Sequence, residues 1–338
     1  MLRLPSSSFR FRFRLHLRLI PLLAALAVGV GPISAQAQAP SAPAAPTPRA
    51  QAPTGRALTP PIYDMVYGET ADGQKLLMDI FQPPVRVGLA DKGSQPKLRP
   101  AVIFIHGGGW AHGSKKDFRS VAVLMSGLGY VTVPIAYRLT TNPANTWPAQ
   151  LDDVQLAVRW LRENAATYSI DPTRIGAMGA SAGGHLVTCL ATRETRDPAT
   201  AKYASQSSRV NCVVNINGPS DLTEDFAPKV KQGAAVNDLL TKLFGGPRSE
   251  TDKGELARDA SPLFNIDAKT PPFLIVHGDQ DEVVPVDQSR RLQEALVKAG
   301  VSSNLLILEG EGHSFTKQEN QKRFLKDSIV FFNQRLTP

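Results

Sequence analysis

Three side chains in this chain, met in one order, have the types needed for nucleophilic acyl transfer. The first is Ser181, in Gly179-Ala180-Ser181-Ala182-Gly183, a G-x-S-x-G. A hydroxyl is a weak nucleophile until a base takes its proton, and the base needs a third group to orient it. Of the six histidines, His313 in "EGEGHSF" lies on a short, glycine-flanked stretch after the last apolar run. Between serine and histidine, "HGDQDEVVP" offers Asp279, Asp281 and Glu282, and spacing does not choose among them. His16 lies near the N-terminus, and His106, His112 and His185 precede or adjoin the serine. His277 closes an apolar run just before the acids. Frameworks that display a G-x-S-x-G between strand and helix run serine, acid, histidine along the chain, which leaves His313 as the base.

Acyl transfer also develops negative charge on the carbonyl oxygen, and N–H donors must meet it. "HGGGW", His106 to Trp110, follows the run "AVIFI", and its three glycines present amides with no side chain in the way. The amide of Ala182, at the start of a helical stretch, carries partial positive charge toward the same place. A phosphate-binding loop is the competing reading of so many glycines, but neither G-x-G-x-x-G nor G-x-x-x-x-G-K-[ST] occurs here.

These residues need strands and helices to hold them. "IYDMVY" and "LLMDIF" suit an antiparallel pair. Six continuous runs follow: Ala101 to Ile105, Tyr130 to Ile135, Arg174 to Met178, Cys212 to Ile216, Phe273 to His277 and Asn304 to Leu308. Such runs suit strands buried on both faces. Helical spacing lies between them. Leu151, Val154, Val158 and Leu161 share one face, as do Leu292, Ala295 and Leu296 before a C-cap Gly300. A last helix is expected from about Gln318 to Arg335, with Phe324, Ile329 and Phe332 among charges. The pattern predicts an α/β fold: a mostly parallel sheet of about eight strands with helices on both faces. Sites in such folds lie beyond the C-terminal strand ends. Residues 219–266, after the sixth strand, break the alternation and read as a lid or pocket wall.

The N-terminus has a different character. Residues 1–37 carry five arginines and no acid, an apolar run from Leu19 to Val30, and Ala35-Gln36-Ala37. That order is expected of a cleavable signal peptide, with an uncleaved anchor or a transit peptide as the competing reading. The expected location is therefore secreted or periplasmic, with no membrane association after leader removal. Residues 38–60, rich in Ala and Pro, read as a disordered linker before one domain over 61–338. The formal charge of +8 falls to +3 without the leader. No basic stripe points to nucleic acid. Cys189 and Cys212 allow one disulfide in an exported protein, or serve as two buried thiols.

Taken together, "HGGGW", "GASAGGHL", "HGDQDEVVP" and "GEGHSF" resemble the α/β-hydrolase superfamily. The resemblance is greatest to the BD-FAE-like branch of small esterases, which includes acetyl-xylan and feruloyl esterase-like proteins and is related to hormone-sensitive-lipase-like carboxylesterases. It covers nearly all of residues 61–335. It implies an α/β-hydrolase fold with Ser181 as nucleophile and His313 as base. Asp281, which completes H-G-x-x-D from His277, matches the acid. Gly108, Gly109 and Ala182 match the oxyanion hole. Hormone-sensitive-lipase-like chains write an acid before the serine; Ala180 stands there instead, which favours the neighbouring branch.

The implied activity is hydrolysis of short-chain acyl or carbohydrate-linked (acetyl or feruloyl) esters through an acyl-enzyme, with no metal or cofactor. The implied partner is a small-molecule or glycan ester. "HGGGW" also resembles arylformamidases, so an amide hydrolase, formamidase or peptidase-like, is the alternative. A non-catalytic binding protein on this scaffold would be expected to lack one of the three residues, and none is missing. The acyl pocket is expected from residues 219–266, Trp110 and the loop Tyr137 to Pro148. Trp110, Tyr137, Trp147, Phe226 and Phe244 are the aromatic candidates.

Overall fold

The computed structural model describes residues 56–57, 59–86, 97–195, 201–223 and 231–337. The expected leader, most of the expected linker and Phe226 lie outside the described residues. The eight expected runs form one sheet: β1 (Ile62–Glu69), β2 (Lys75–Ile80), β3 (Arg99–Ile105), β4 (Val131–Ile135), β5 (Ile170–Ala180), β6 (Cys212–Ile216), β7 (Phe273–Gly278) and β8 (Ser303–Leu308). Their order is β8-β7-β6-β5-β3-β4-β2-β1. β1 with β2 and β2 with β4 are antiparallel, and the other pairs are parallel. A separate antiparallel pair joins Arg56–Ala57 to Val85–Arg86.

Alternation along a strand fills two layers. On β3, Ala101, Ile103 and Ile105 enter one apolar cluster, while Val102 and Phe104 enter the other. The second cluster is closed by α1 (Arg119–Gly127) and α7 (Gln318–Leu336) through Val121, Met125, Phe324 and Phe332. The first is closed by α2 (Ala149–Glu163), α3 (Ala182–Thr192) and α6 (Asp287–Lys298) through Leu151, Val158, Leu186 and Leu292. α6 stops before Gly300, whose φ of +75° is the left-handed position a glycine takes without strain.

β3 lies between β4 and β5, and the helices that follow β3 and β5 go to opposite faces. The sheet order reverses there, and a crevice opens beyond the strand ends. Between β6 and β7 the chain forms a cap of α4 (Gly233–Phe244), α5 (Thr251–Asp259) and a 3-10 turn at Pro262–Asn265. Cys189 and Cys212 belong to opposite layers and are free buried thiols, so the disulfide does not form. Burial pushes the Cys189 thiol up to about 12 and the Cys212 thiol up as well. Among the described residues no helix is long and apolar enough to cross a membrane.

Candidate active site

The turn at Ser181 is made possible by what its neighbours lack. A Cβ on Gly179 would overlap the carbonyl of Gly183, and a Cβ on Gly183 would overlap the carbonyl oxygen of Ile105. A Cβ on Gly184 would lie 2.7 Å from Asn215 Oδ1. With these three positions bare, α3 starts directly off β5 and against β3. Ser181 takes the bend, at φ 55° and ψ −120°, a conformation that L side chains rarely adopt. Its N–H donates to the Ile216 carbonyl at 2.8 Å, and its carbonyl accepts from His185 N–H at 3.0 Å. The strain is therefore held from both sides.

His313 and Asp281 come to this serine from β8 and β7. The His313 Nδ1–H donates to Asp281 Oδ2 at 2.7 Å, and Nε2 accepts the Ser181 hydroxyl at 2.8 Å. A carboxylate can only accept, so this tautomer follows from the partners. The other oxygen of Asp281 accepts the N–H groups of Val283 and Val284 at 2.8 and 2.9 Å. Burial pushes the Asp281 carboxyl up, but the charge of His313 and hydrogen bonds from His277 and His313 outweigh it. The group is held well below the usual carboxylate range.

The other two acids go elsewhere. Asp279 accepts Gly310 N–H at 2.7 Å, and Glu282 pairs with Lys231 at the surface. His277 is wholly buried; its Nε2–H donates to the Val284 carbonyl at 2.9 Å, and Nδ1 meets Ser289 Oγ at 2.6 Å.

Two residues not singled out in the sequence fix the histidine loop. Asn217, just past β6 with φ 50°, donates from Nδ2 to the His313 carbonyl at 2.8 Å. Its Oδ1 accepts Gly278 N–H at 3.3 Å. Buried Glu311 accepts Thr316 and Lys317 N–H at 2.7 and 2.9 Å. A polar residue at the end of a buried run, as in "NING", is the only signal the sequence carries for Asn217.

The glycine loop after β3 winds back on itself, with Ala111 and His112 N–H on the Gly108 carbonyl at 3.1 and 2.9 Å. Gly107 is the glycine pressed on the serine turn; its Cβ would lie 2.8 Å from the Ala180 carbonyl oxygen and 3.2 Å from Ser181 Cβ. Gly108, Gly109 and Ala182 line the cleft with Ser181 and His313. Ala182 is the first residue of α3, so its N–H has no partner within the helix. His106 stacks on Tyr137 with ring centres 4.3 Å apart.

The cleft encloses about 650 Å³ of empty space, part of it open to solvent. Its far wall is Val236, Leu239 and Leu240 of α4, with Val283, Val284 and Pro219 at the sides. Trp110 lines it, but the loop Tyr137 to Pro148 does not, contrary to the sequence expectation. That loop packs behind the wall instead. Trp147 donates from Nε1 to Asp259 at 2.6 Å and its ring lies against His185, while Phe244 is core. His185 accepts the Trp110 N–H at Nδ1, 3.2 Å away, and donates from Nε2 to the Ala260 carbonyl at 2.6 Å. Burial lowers its pKa to about 4.

Comparison with known proteins adds to this geometry. The family described as BD-FAE matches residues 85–296. Esterase LipC of Mycobacterium tuberculosis is 35% identical over 229 residues, covering 66% of this chain and 55% of that one. The chain thus spans about half the length of the curated relatives it matches. The propionate-bound structure of Est2, a thermophilic esterase from Thermogutta terrifontis, superposes with a TM-score of 0.66 at 27% identity, covering 82% of this chain and 96% of that one. A truncated carbohydrate esterase from gut microbiota gives a TM-score of 0.65 at 26% identity, over 85% and 99%.

Proposed function

Because the chain belongs to the BD-FAE family of α/β-hydrolases, we propose that it is a serine carboxylic-ester hydrolase acting on short-chain acyl or carbohydrate-linked esters. One observation carries the reading: the unbroken chain of hydrogen bonds from Asp281 through His313 to Ser181, at 2.7 and 2.8 Å, on the strained turn. Esterase relatives and the propionate seen in Est2 support an ester with a small acyl group.

The mechanism follows from the donors present. Ser181 Oγ attacks the ester carbonyl while His313 Nε2 takes its proton. Asp281 holds the tautomer and stabilises the imidazolium. The amides of Gly108, Gly109 and Ala182 meet the oxyanion, where one donor is worth about 100- to 1000-fold. His313 then returns the proton to the leaving alcohol, and water repeats the sequence on the acyl-enzyme. The charged, apolar, small-residue order of residues 1–37 supports export, so an ester met outside the cytoplasm is the substrate we infer.

The test is hydrolysis of p-nitrophenyl esters from acetate to decanoate, beside Ser181→Ala. Activity greatest at acetate or butyrate is expected, with a fall of about 10⁴-fold or more in the variant. A folded protein that leaves every ester intact but cleaves an aryl formamide would replace the reading with amide hydrolysis.

A further inference from the structure

We propose that Ser289 and His277 are positioning residues for the reaction, a buried relay that ends on the same oxygen of Asp281 that receives His313. This rests on the ester-hydrolase reading above. Both side chains are wholly buried and neither lines the cleft.

The partners decide where the protons lie. His277 Nε2 is 2.9 Å from the Val284 carbonyl oxygen and 3.2 Å from Asp281 Oδ2. A carbonyl and a carboxylate only accept, so Nε2 carries the hydrogen and shares it between them. In the neutral ring Nδ1 is then an acceptor, and the Ser289 hydroxyl, 2.6 Å away, is its donor. Ser289 thus holds one tautomer of His277, as Asp281 holds one of His313.

The relay matters because the carboxylate has two oxygens and only one meets the base. The amides of Val283 and Val284 both donate to Oδ1, at 2.8 and 2.9 Å. Held there alone, the group could still swing about that oxygen and carry Oδ2 away from His313 Nδ1, 2.7 Å off. The His277 N–H on Oδ2 opposes that swing. His277 also grips the Val284 peptide by its carbonyl, while the N–H of the same residue holds Asp281. Its loss therefore loosens the acid at both oxygens. The far end of the relay is fixed too. Ser289 lies in the first turn of α6, where Gln288 Oε1 accepts the N–H groups of Ser220 and Asp221 at 2.9 and 2.8 Å.

The experiment measures kcat and KM on p-nitrophenyl acetate for Ser289→Ala, His277→Gln and His277→Leu, each made in the wild type and in Asp281→Asn. In the wild-type background Ser289→Ala should lower kcat about threefold or more, and His277→Leu about 10- to 100-fold, the range expected for a lost hydrogen bond to a charged group. His277→Gln keeps an N–H donor and should fall between the wild type and His277→Leu. KM should stay within about twofold throughout, since the relay touches no substrate. In Asp281→Asn the same changes should alter kcat by no more than about twofold, because the group they position is gone. Equal losses in both backgrounds would show a general packing role and overturn the relay. So would folded variants with unchanged kcat. Ser289→Ala removes one hydroxyl only, so it decides the matter if His277→Leu does not fold. A wild-type protein that leaves every p-nitrophenyl ester intact overturns the ester-hydrolase reading and the relay with it; an active wild type with unmoved variants overturns the relay alone.

Discussion

On the sheet side of the cleft, directional bonds fix the groups. Ser181 is pinned by Ile216 and His185, His313 by Asp281 and Asn217, and Asp281 by the amides of Val283 and Val284. On the cap side, α4 meets the same cleft with Val236, Leu239 and Leu240, which touch by packing. A hydrogen bond loses strength within a few tenths of an ångström and tens of degrees, so the sheet side holds one geometry. Packing contacts tolerate a change of shape at modest cost. Ser181, His313 and Asp281 therefore sit where placement must hold to sub-ångström tolerance, and on the proposed reading an acyl group would meet a wall that can vary.

The largest effect is expected from the acids of one loop. Asp281→Asn keeps the shape but lets the amide favour the wrong tautomer of His313, and a loss of about 10⁴-fold in kcat is expected. Asp279→Asn touches only the Gly310 amide and should stay within a few-fold of wild type. Steady-state kinetics on p-nitrophenyl acetate separates them. If Asp279→Asn proves the more damaging, Asp281 is not the acid.

His185 joins the two regions, because Trp110 belongs to the glycine loop and Ala260 to the cap. Its surroundings are Trp110, Trp147, Cys189 and the Arg193–Asp259 pair. Buried, it takes a proton only near pH 4, against about 6.5 in an unfolded chain. Between those values the unfolded state binds more protons, so stability falls as pH drops from about 6.5 to 4. The span corresponds to roughly 3 kcal/mol. His185→Gln should flatten that limb of the melting-temperature profile without abolishing it, since burial lowers the His106 pKa as well. An unchanged slope in the variant would show that this joint does not titrate.

The same division explains what was legible in the sequence. β3, β6 and β7 are buried on both faces, and burial on both faces writes a continuous apolar run whose ends can be read. β5 begins earlier than its apolar run, at Ile170, because Asp171-Pro172-Thr173-Arg174, which carries no apolar run, continues the strand ahead of it. The glycines around Ser181 were legible because each fills a place where no Cβ fits. The choice of Asp281 over Asp279 and Glu282 was not readable from spacing; it came with the resemblance, and the fold then brings that carboxylate to His313. Asn217 acts through backbone groups 61 and 96 residues away, and no local pattern encodes such partners; Glu311 bonds amides five and six residues on in its own loop, where an acid reads equally as a solvated loop residue. The loop Tyr137 to Pro148 was misplaced because a long aromatic-bearing loop at a strand end suits lining and buttressing equally. Packing against His185 and Asp259 decided it.

The cap side predicts smaller and tunable effects, and Leu239 is where to find them. Its methyl groups lie directly over Gly109, close enough that a Cβ there would collide with them. It thus closes the cleft over the glycine loop, by packing alone. Leu239→Ala removes this stop and leaves Ser181, His313 and Asp281 in place. A buried CH₂ is worth about 0.8 kcal/mol, or about fourfold, so hexanoate should gain that much over acetate in kcat/KM for each methylene admitted. Activity on acetate should change less than the ratio, because acetate does not reach the vacated space. A parallel fall on every chain length, with the ratio fixed, would mean that α4 positions the reacting groups after all, and the contrast between the two walls would fail.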